Sequence, residues 1–414
     1  MKQLRIKEIE KMEKRDILTD FLYRLGFGLI ALNSIYLLIY YVIMALGWYI
    51  MSNKKITHYN MDKIESENAD FNIIYGERSN GKSYQLKHKR AVIKYLETGK
   101  RFILMRRLKD EITANAIEQY FKDVDVEKLT KGNYNTIIVW AKKLYFAKYE
   151  VDKNGLFKTI KGEHIGYVVA LSTEQNYAGA SYLDVEDIIF EEFMSRKVYL
   201  ANEPFKLMNF YCTVDRKRCT TKLWLVGNSI SRVCPYIEEW GLHEIFSRQK
   251  QGTIVTKEIK STEDDTVKLA VEFCQNTGAS SHTIGNTKML SDGSWQTFPQ
   301  PHLEKSLKAY KELYKFIFAF KGFKFLSCFL QDKEEKDKSC WFIKPYNGKI
   351  DDKTLVISDT INISRLWQRD LYNISLNKPK LQDLLNTFRE NNIFYSDDLC
   401  GTDFKQVIDF TIRK

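Results

Sequence analysis

No CxxC pair occurs in the 414 residues, and the seven cysteines (Cys212, Cys219, Cys234, Cys274, Cys328, Cys340, Cys400) are odd in number and scattered. That excludes a zinc ribbon and a redox motif, and it makes a reducing interior the simpler compartment. No repeat recurs at solenoid periods, so the chain is not a repeat array. Charge of either sign is missing altogether from residues 25–53. What is present has the balance of a folded globular protein, 44% hydrophobic and 28% charged. Lys and Arg number 64 against 53 Asp and Glu, a formal surplus of +11. Such a surplus favours a polyanionic partner, nucleic acid or an anionic membrane, and says little about fold.

The length allows two ordinary domains. Short apolar runs alternate with helical stretches after residue 51, which predicts an α/β domain around a central, mostly parallel sheet. Strands are expected at FNIIY (71–75), RFILM (101–105), TIIVW (136–140), IGYVVAL (165–171), DIIF (187–190) and KLWLVG (222–227). KLYFAKYEV and LFKTI alternate like a hairpin, and GTIVTKEI with VKLAVEF reads as a closing antiparallel pair. Helices are expected at about 83–97 and through 110–121. The small, polar stretch NTGASSHTIGNTKMLSDGS is the clearest linker. The boundaries that follow are an N-terminal extension at 1–50, a nucleotide-binding domain at 51–275, a linker at 276–299 and a second domain at 300–414.

Gly76-Glu77-Arg78-Ser79-Asn80-Gly81-Lys82-Ser83 matches GxxxxGK[ST]. Its glycines let backbone N–H groups turn toward the phosphates of ATP. Lys82 then meets the β/γ oxygens and the Ser83 hydroxyl holds Mg²⁺. A strand precedes the motif and a helix follows it, the context it requires. Its partner must be an acid at the end of another buried strand. Ile188-Ile189-Phe190-Glu191-Glu192-Phe193 supplies two. Alternation along a strand turns them to different sides, which suits Glu191 to the Mg²⁺ shell and Glu192 to polarising the attacking water. Asp187 is a rival acid but precedes the apolar run.

Asn228, at a third strand end, has two readings: a sensor of the γ-phosphate, or a turn former. Val214-Asp215-Arg216-Lys217-Arg218 likewise reads either as the source of an arginine that reaches a neighbouring subunit's γ-phosphate or as a solvated or DNA-contacting patch. Arg106 and Arg107 follow a strand directly, near where phosphates or DNA would lie. Lys305, Lys308, Lys311 and Lys315 recur at helical spacing among Tyr310, Tyr314 and Phe316. That pattern suits nucleic-acid contact, and equally an amphipathic helix with its aromatic face in a core. Asp351, Asp352 and Asp359 do not complete a set of three acids for nuclease chemistry, so nuclease activity is not expected.

The ordered set GERSNGKS, IIFEEF, VDRKR and LVGNSIS resembles the DNA encapsidation family of small tailed phages, whose members are similar to terminase large subunits. The resemblance covers about 71–231 by motif and the second domain only by position and length. It implies an ASCE-type P-loop ATPase followed by a smaller α/β domain resembling a vestigial RNase H-like nuclease. It also implies that Lys82 and Ser83 bind nucleotide and Mg²⁺, that Glu192 is the catalytic glutamate, and that Asn228 couples or senses. Arg216 is the choice for a trans-acting arginine finger, with Arg218 its rival. The family has Asp where this chain has Glu191. The implied function is ATP-driven translocation of double-stranded DNA into a procapsid by a homo-oligomeric ring. The resemblance makes that ring a pentamer docked on a portal protein with a packaging RNA, working in the host cytoplasm.

The alternative is a membrane-anchored P-loop ATPase for secretion, conjugation or virion export. LIALNSIYLLIYYVIMALGWYI, at 29–50, is long enough to cross a bilayer. Seven basic residues precede it, from Lys2 to Arg24, against Lys54, Lys55 and Lys63 soon after it. That bias would leave the ATP-using domain outside the cell, where it has no ATP. Translation is therefore expected to begin near Met51. N-terminal sequencing of the native protein is expected to read from Met51 or Ser52; a start at Met1, with activity in the membrane pellet, overturns this.

Overall fold

The computed structural model describes residues 19, 40–42, 44, 58–151, 155–195, 199–260, 266–277, 295, 297–358, 368–370 and 392–412. The chain forms two compact units, Met1–Thr57 and His58–Lys414. In the first, Thr19, Tyr40, Tyr41, Val42 and Met44 are helical. Most of the apolar segment at 25–50 and the expected start at Met51 lie outside the described residues. No described helix is long and apolar enough to cross a membrane.

Unbroken apolar runs mark strands covered on both faces, and four of the predicted runs form the middle of a nine-stranded sheet. Its strands are β1 (Phe71–Gly76), β2 (Arg101–Arg106), β3 (Thr136–Trp140), β4 (Lys143–Val151), β5 (Phe157–Ala170), β6 (Val185–Glu191), β7 (Lys222–Asn228), β8 (Thr253–Lys260) and β9 (Thr266–Phe273). The spatial order is β3-β4-β5-β2-β6-β7-β1-β9-β8. From β5 to β9 across the sheet, every neighbouring pair is parallel; the antiparallel pairs β3–β4, β4–β5 and β8–β9 close the two sides. LFKTI and IGYVVAL, expected as separate strands, are one long β5.

Alternate side chains of the central strands go to opposite faces. Ile73, Ile103, Phe190 and Leu225 enter one core, while Ile74, Leu104, Ile189 and Trp224 enter the other. Each such side chain, fully buried, contributes about 1.5–3 kcal/mol. Asp187 is buried beneath this sheet, paired with Arg90 and Lys94 at 2.7 Å each and accepting from the Trp224 indole at 2.7 Å. It is a structural acid at the far end of β6. The predicted helix after the phosphate motif runs as Lys82–Gln85, a π-helical stretch Leu86–Ile93, and Lys94–Thr98, ended by Gly99 at φ 70. Helix Ala114–Phe121 is capped by Thr113, whose hydroxyl accepts from Ala116 N, and it buries Ile117 and Phe121.

A second, six-stranded sheet contains β10 (Tyr310–Phe320), β11 (Phe323–Asp332), β12 (Ser339–Pro345), β13 (Val356–Ser358), β14 (Gln368–Asp370) and β15 (Ile393–Tyr395). Its order is β14-β13-β10-β11-β12-β15. β10, β11 and β12 are antiparallel, while β13, β14 and β15 each add in parallel. Helix Asp398–Ile412 contributes Cys400, Phe404 and Val407 to the core that holds Phe316, Phe325 and Trp341. The expected amphipathic helix over the lysines does not form: Lys308 lies in a short 3-10 turn, Leu307–Ala309, and Lys311 and Lys315 lie in β10. Aromatic and β-branched residues at 316–320 favour the pleated surface, and Phe316, Ile317, Phe318 and Phe320 are all buried there. The lysines turn to separate partners: Lys305 to Asp332 and Glu334, Lys315 to Glu312. Asp359 lies outside the described residues.

The two sheets meet where the chain leaves β7. Ser231 Oγ donates to Gln406 Oε1 at 2.5 Å, and Arg232 pairs with the buried carboxylate of Asp403. Lys321 pairs with Glu238 at 2.7 Å, and the His243 ring packs edge-on to Phe323. Gly322 sits at φ +76 in the turn from β10 to β11, where an added Cβ would lie 2.1 Å from the His243 ring. Gly322→Ala is therefore expected to destabilise the chain by about 1–3 kcal/mol, read as a lowered Tm.

Candidate nucleotide-binding site

In an open parallel sheet, ligands bind beyond the carboxyl ends of the strands. Register decides which residues meet there. Gly76 pairs with Asn228, and Glu191 pairs with Val226. The phosphate loop, the paired glutamates and Asn228 therefore converge on one edge. Arg78, Lys82, Ser83, Glu191, Glu192 and Asn228 all line one cavity of ≈ 360 Å³. A neighbouring cavity of ≈ 580 Å³ shares Ser83, Glu191 and Glu192 and adds Arg106 and Tyr120.

The loop takes backbone shapes that L side chains avoid: Gly76 at φ 153, Ser79 at φ 62 and Gly81 at φ 102. Gly76 also leaves no room, since a Cβ there would lie 3.1 Å from Cys274 Cβ. Glu77 is buried, and its Oε1 accepts from Thr277 N at 2.6 Å. The Lys82 ammonium folds back to donate to Glu77 O and to Asn80 Oδ1. Burial lowers its pKa, opposed by Cys274, Glu191 and Glu77. An ammonium held on uncharged loop acceptors in a buried place is poised for an anion.

Glu191 is buried, whereas the Glu192 side chain is 70% exposed. The two carboxylate oxygens of Glu191 each accept from a hydroxyl: Oε2 from Ser83 at 2.9 Å, Oε1 from Tyr120 at 2.6 Å. Burial, then the Glu191 charge, pushes the Tyr120 phenol well above its usual pKa, so it stays a donor. Ser83 and Glu191 together present the hard oxygen donors that Mg²⁺ takes. Glu192 leaves the strand at φ 58, an uncommon backbone shape for a non-glycine residue. Arg107 holds that turn, donating to Glu192 O at 3.0 Å and Phe193 O at 2.7 Å. Its charge is balanced by buried Glu203 at 2.9 Å. Arg106 stands 3.9 Å from the Glu192 carboxylate.

Sequence reasoning missed Tyr120, which no motif marks, and the turn-holding role of Arg107, whose signal was its place directly after β2. The basic cluster lies elsewhere. It follows helix Glu203–Asp215 and precedes the start of β7, so β7 separates it from Asn228 by ~20 Å. Within the chain, Arg216 and the phosphate loop are at opposite ends of the sheet. Arg216 is exposed and donates to Gly179 O at 3.3 Å and Ala180 O at 2.8 Å. Arg218 is spent on the carbonyls of Leu183, Val185, Val214 and Asp215 at 2.7–3.0 Å.

A mostly parallel sheet carrying a glycine-bearing loop between β1 and a helix is the architecture of a P-loop fold. Residues 53–250, just under half of the chain, match the family model described as Podovirus DNA encapsidation protein (Gp16). The DNA packaging proteins of Bacillus phages PZA and phi29 are each 30% identical over 185 residues, 44% of this chain and 49% of theirs. The chain thus spans about half the length of the curated relatives it matches. A solved chain from the bacteriophage Phi-29 viral genome packaging motor assembly shares the fold, with TM-score 0.51 and 20% identity over 86% of this chain and 99% of that one.

Arg218→Ala is expected to lower Tm by several degrees, since it strips partners from four carbonyls. Arg216→Ala is expected to leave Tm nearly unchanged. Thermal unfolding of both variants checks this, and equal losses would contradict it.

Proposed function

We propose that this chain is an ATP-driven motor that translocates double-stranded viral DNA into a procapsid. The observation that carries it is the convergence of Lys82, Ser83, Glu191, Glu192 and Asn228 on one cavity, in a chain whose residues 53–250 match the encapsidation family. The phosphates of ATP lie along Gly76–Ser83, and Lys82 leaves Glu77 O and Asn80 to meet them. Ser83 and Glu191 would hold Mg²⁺, which would supply positive charge to offset that of the phosphates. Glu192, solvent-facing beside Arg106, orients and polarises the water that attacks the γ-phosphorus. Asn228 reports loss of the γ-phosphate to the loop that follows it.

Arg216 serves a neighbouring subunit. It stands a sheet's height from its own phosphate loop and is exposed, while Arg218 is committed to carbonyls within its own loop. A trans-acting arginine requires a homo-oligomeric ring, which we take to be a pentamer docked on a portal protein with a packaging RNA, as the family resemblance suggests. Residues 51–275 form the motor domain, 276–299 a linker and 300–414 a nucleic-acid-binding domain without nuclease activity. Support for an RNase H-like second domain is its strand order, three antiparallel strands followed by two parallel ones beside the first. Cargo identity draws on the surplus of +11. The motor works in the host cytoplasm while docked on the procapsid.

The test is Mg²⁺-dependent ATP hydrolysis by the chain from Met51, with and without duplex DNA. DNA is expected to stimulate turnover, and Arg216→Ala to reduce it by about 10³-fold or more. Mixing Arg216→Ala with Glu192→Ala subunits is expected to restore activity, since each supplies what the other lacks. Undiminished activity in Arg216→Ala alone rules that arginine out, and DNA-independent hydrolysis overturns the motor reading.

A further inference from the structure

The candidate metal acid is a glutamate, and a second residue answers for the extra length. Glutamate has one more rotatable bond than aspartate, so fixing its carboxylate in one place costs more conformational entropy. At the end of β6, Glu191 has only one partner from the phosphate loop, Ser83 at 2.9 Å. Its other oxygen is taken by Tyr120 at 2.6 Å, from a helix outside the ATP-binding motifs. Tyr120 is itself fixed. Its helix is docked by buried Ile117 and Phe121, and Lys87 donates to its backbone carbonyl. The Lys87 ammonium lies 4.6 Å from its ring centroid and the Arg106 guanidinium 5.6 Å.

We propose that Tyr120 is a positioning residue for Glu191, holding the longer carboxylate beside Ser83 so that the pair receives a divalent cation. The inference rests on the reading of Glu191 as the metal acid. Hydrogen bonds to ligating carboxylates fix their orientation, and their loss typically weakens metal affinity about 10- to 100-fold. The phenol serves only as donor to Oε1, leaving Oε2 and the Ser83 oxygen to face the cation. An aspartate in place of Glu191 stops one methylene short of Tyr120, so the tyrosine matters only with glutamate present.

The experiment is Mn²⁺ binding to the full chain with ADP, followed by electron paramagnetic resonance, which reads the metal directly and needs no turnover. Tyr120→Phe keeps the ring and removes only the hydroxyl. It is expected to weaken Mn²⁺ binding about 10- to 100-fold while leaving metal-free ADP affinity and Tm in place. In the Glu191→Asp background the same change is expected to do nothing further. Mn²⁺ affinity within twofold of the parent in Tyr120→Phe, with Glu191→Ala abolishing it, overturns the inference and spares the metal acid. Equal losses in both backgrounds reduce Tyr120 to packing and overturn it also. Unchanged Mn²⁺ binding in Glu191→Ala removes the metal acid itself, and the inference with it.

Discussion

The parallel pairing of β6, β7 and β1 fixes where every candidate functional group ends. Three apolar strands run the same way, and their register brings Gly76 level with Asn228 and Glu191 level with Val226. Nothing in the cavity assembles without that alignment. The strands are held by burial on both faces, and the polar groups that face the cavity come where the apolar runs stop. Glu191, Glu192 and Asn228 are those stops, and Ser83 can bond Glu191 because only β7 lies between β6 and β1.

The central strands and the phosphate loop were legible because their signals are local: an unbroken apolar run, two glycines at fixed spacing, an acid at a run's end. The strand alternation expected for Glu191 and Glu192 stops short, since β6 ends at Glu191 and Glu192 lies beyond it in a turn at φ 58, with both lining one cavity. Tyr120 was not legible, since it reaches Glu191 across 71 residues of sequence by the docking of a helix. Arg107 was visible as a basic residue after β2, but its grip on the Glu192 turn depends on β2 and β6 being neighbours. The lysines from 305 to 315 misled because a spacing of three to four mimics a helix face. The phenylalanines that follow carry the stronger preference, and they form a buried strand. Residues 25–50, read as a spanning helix, lie almost wholly outside the described residues.

Two arginines two positions apart, Arg216 and Arg218, have opposite fates. Arg218 stitches the loop before β7 to the loop before β6, satisfying carbonyls that both leave open. Arg216 projects from the same turn with only two carbonyl contacts, both to 179–180. The rigidity supplied by one gives the other a fixed base, which a long flexible side chain needs if it is to reach a defined point outside its own subunit.

The segment leaving β7 is short and fastened at both ends. Ser229 N bonds Gly76 O at 3.1 Å, and three residues later Arg232 is paired with Asp403 in the helix of the second sheet. Four peptide steps from Asn228 to Arg232 span at most ~14 Å when fully extended, so the segment has little slack. It behaves as a stiff tether rather than a slack leash. A displacement at the phosphate-loop end must be taken up by the far sheet or break one of two polar anchorages, and by linkage a load on the far sheet is felt at the loop with the same free energy.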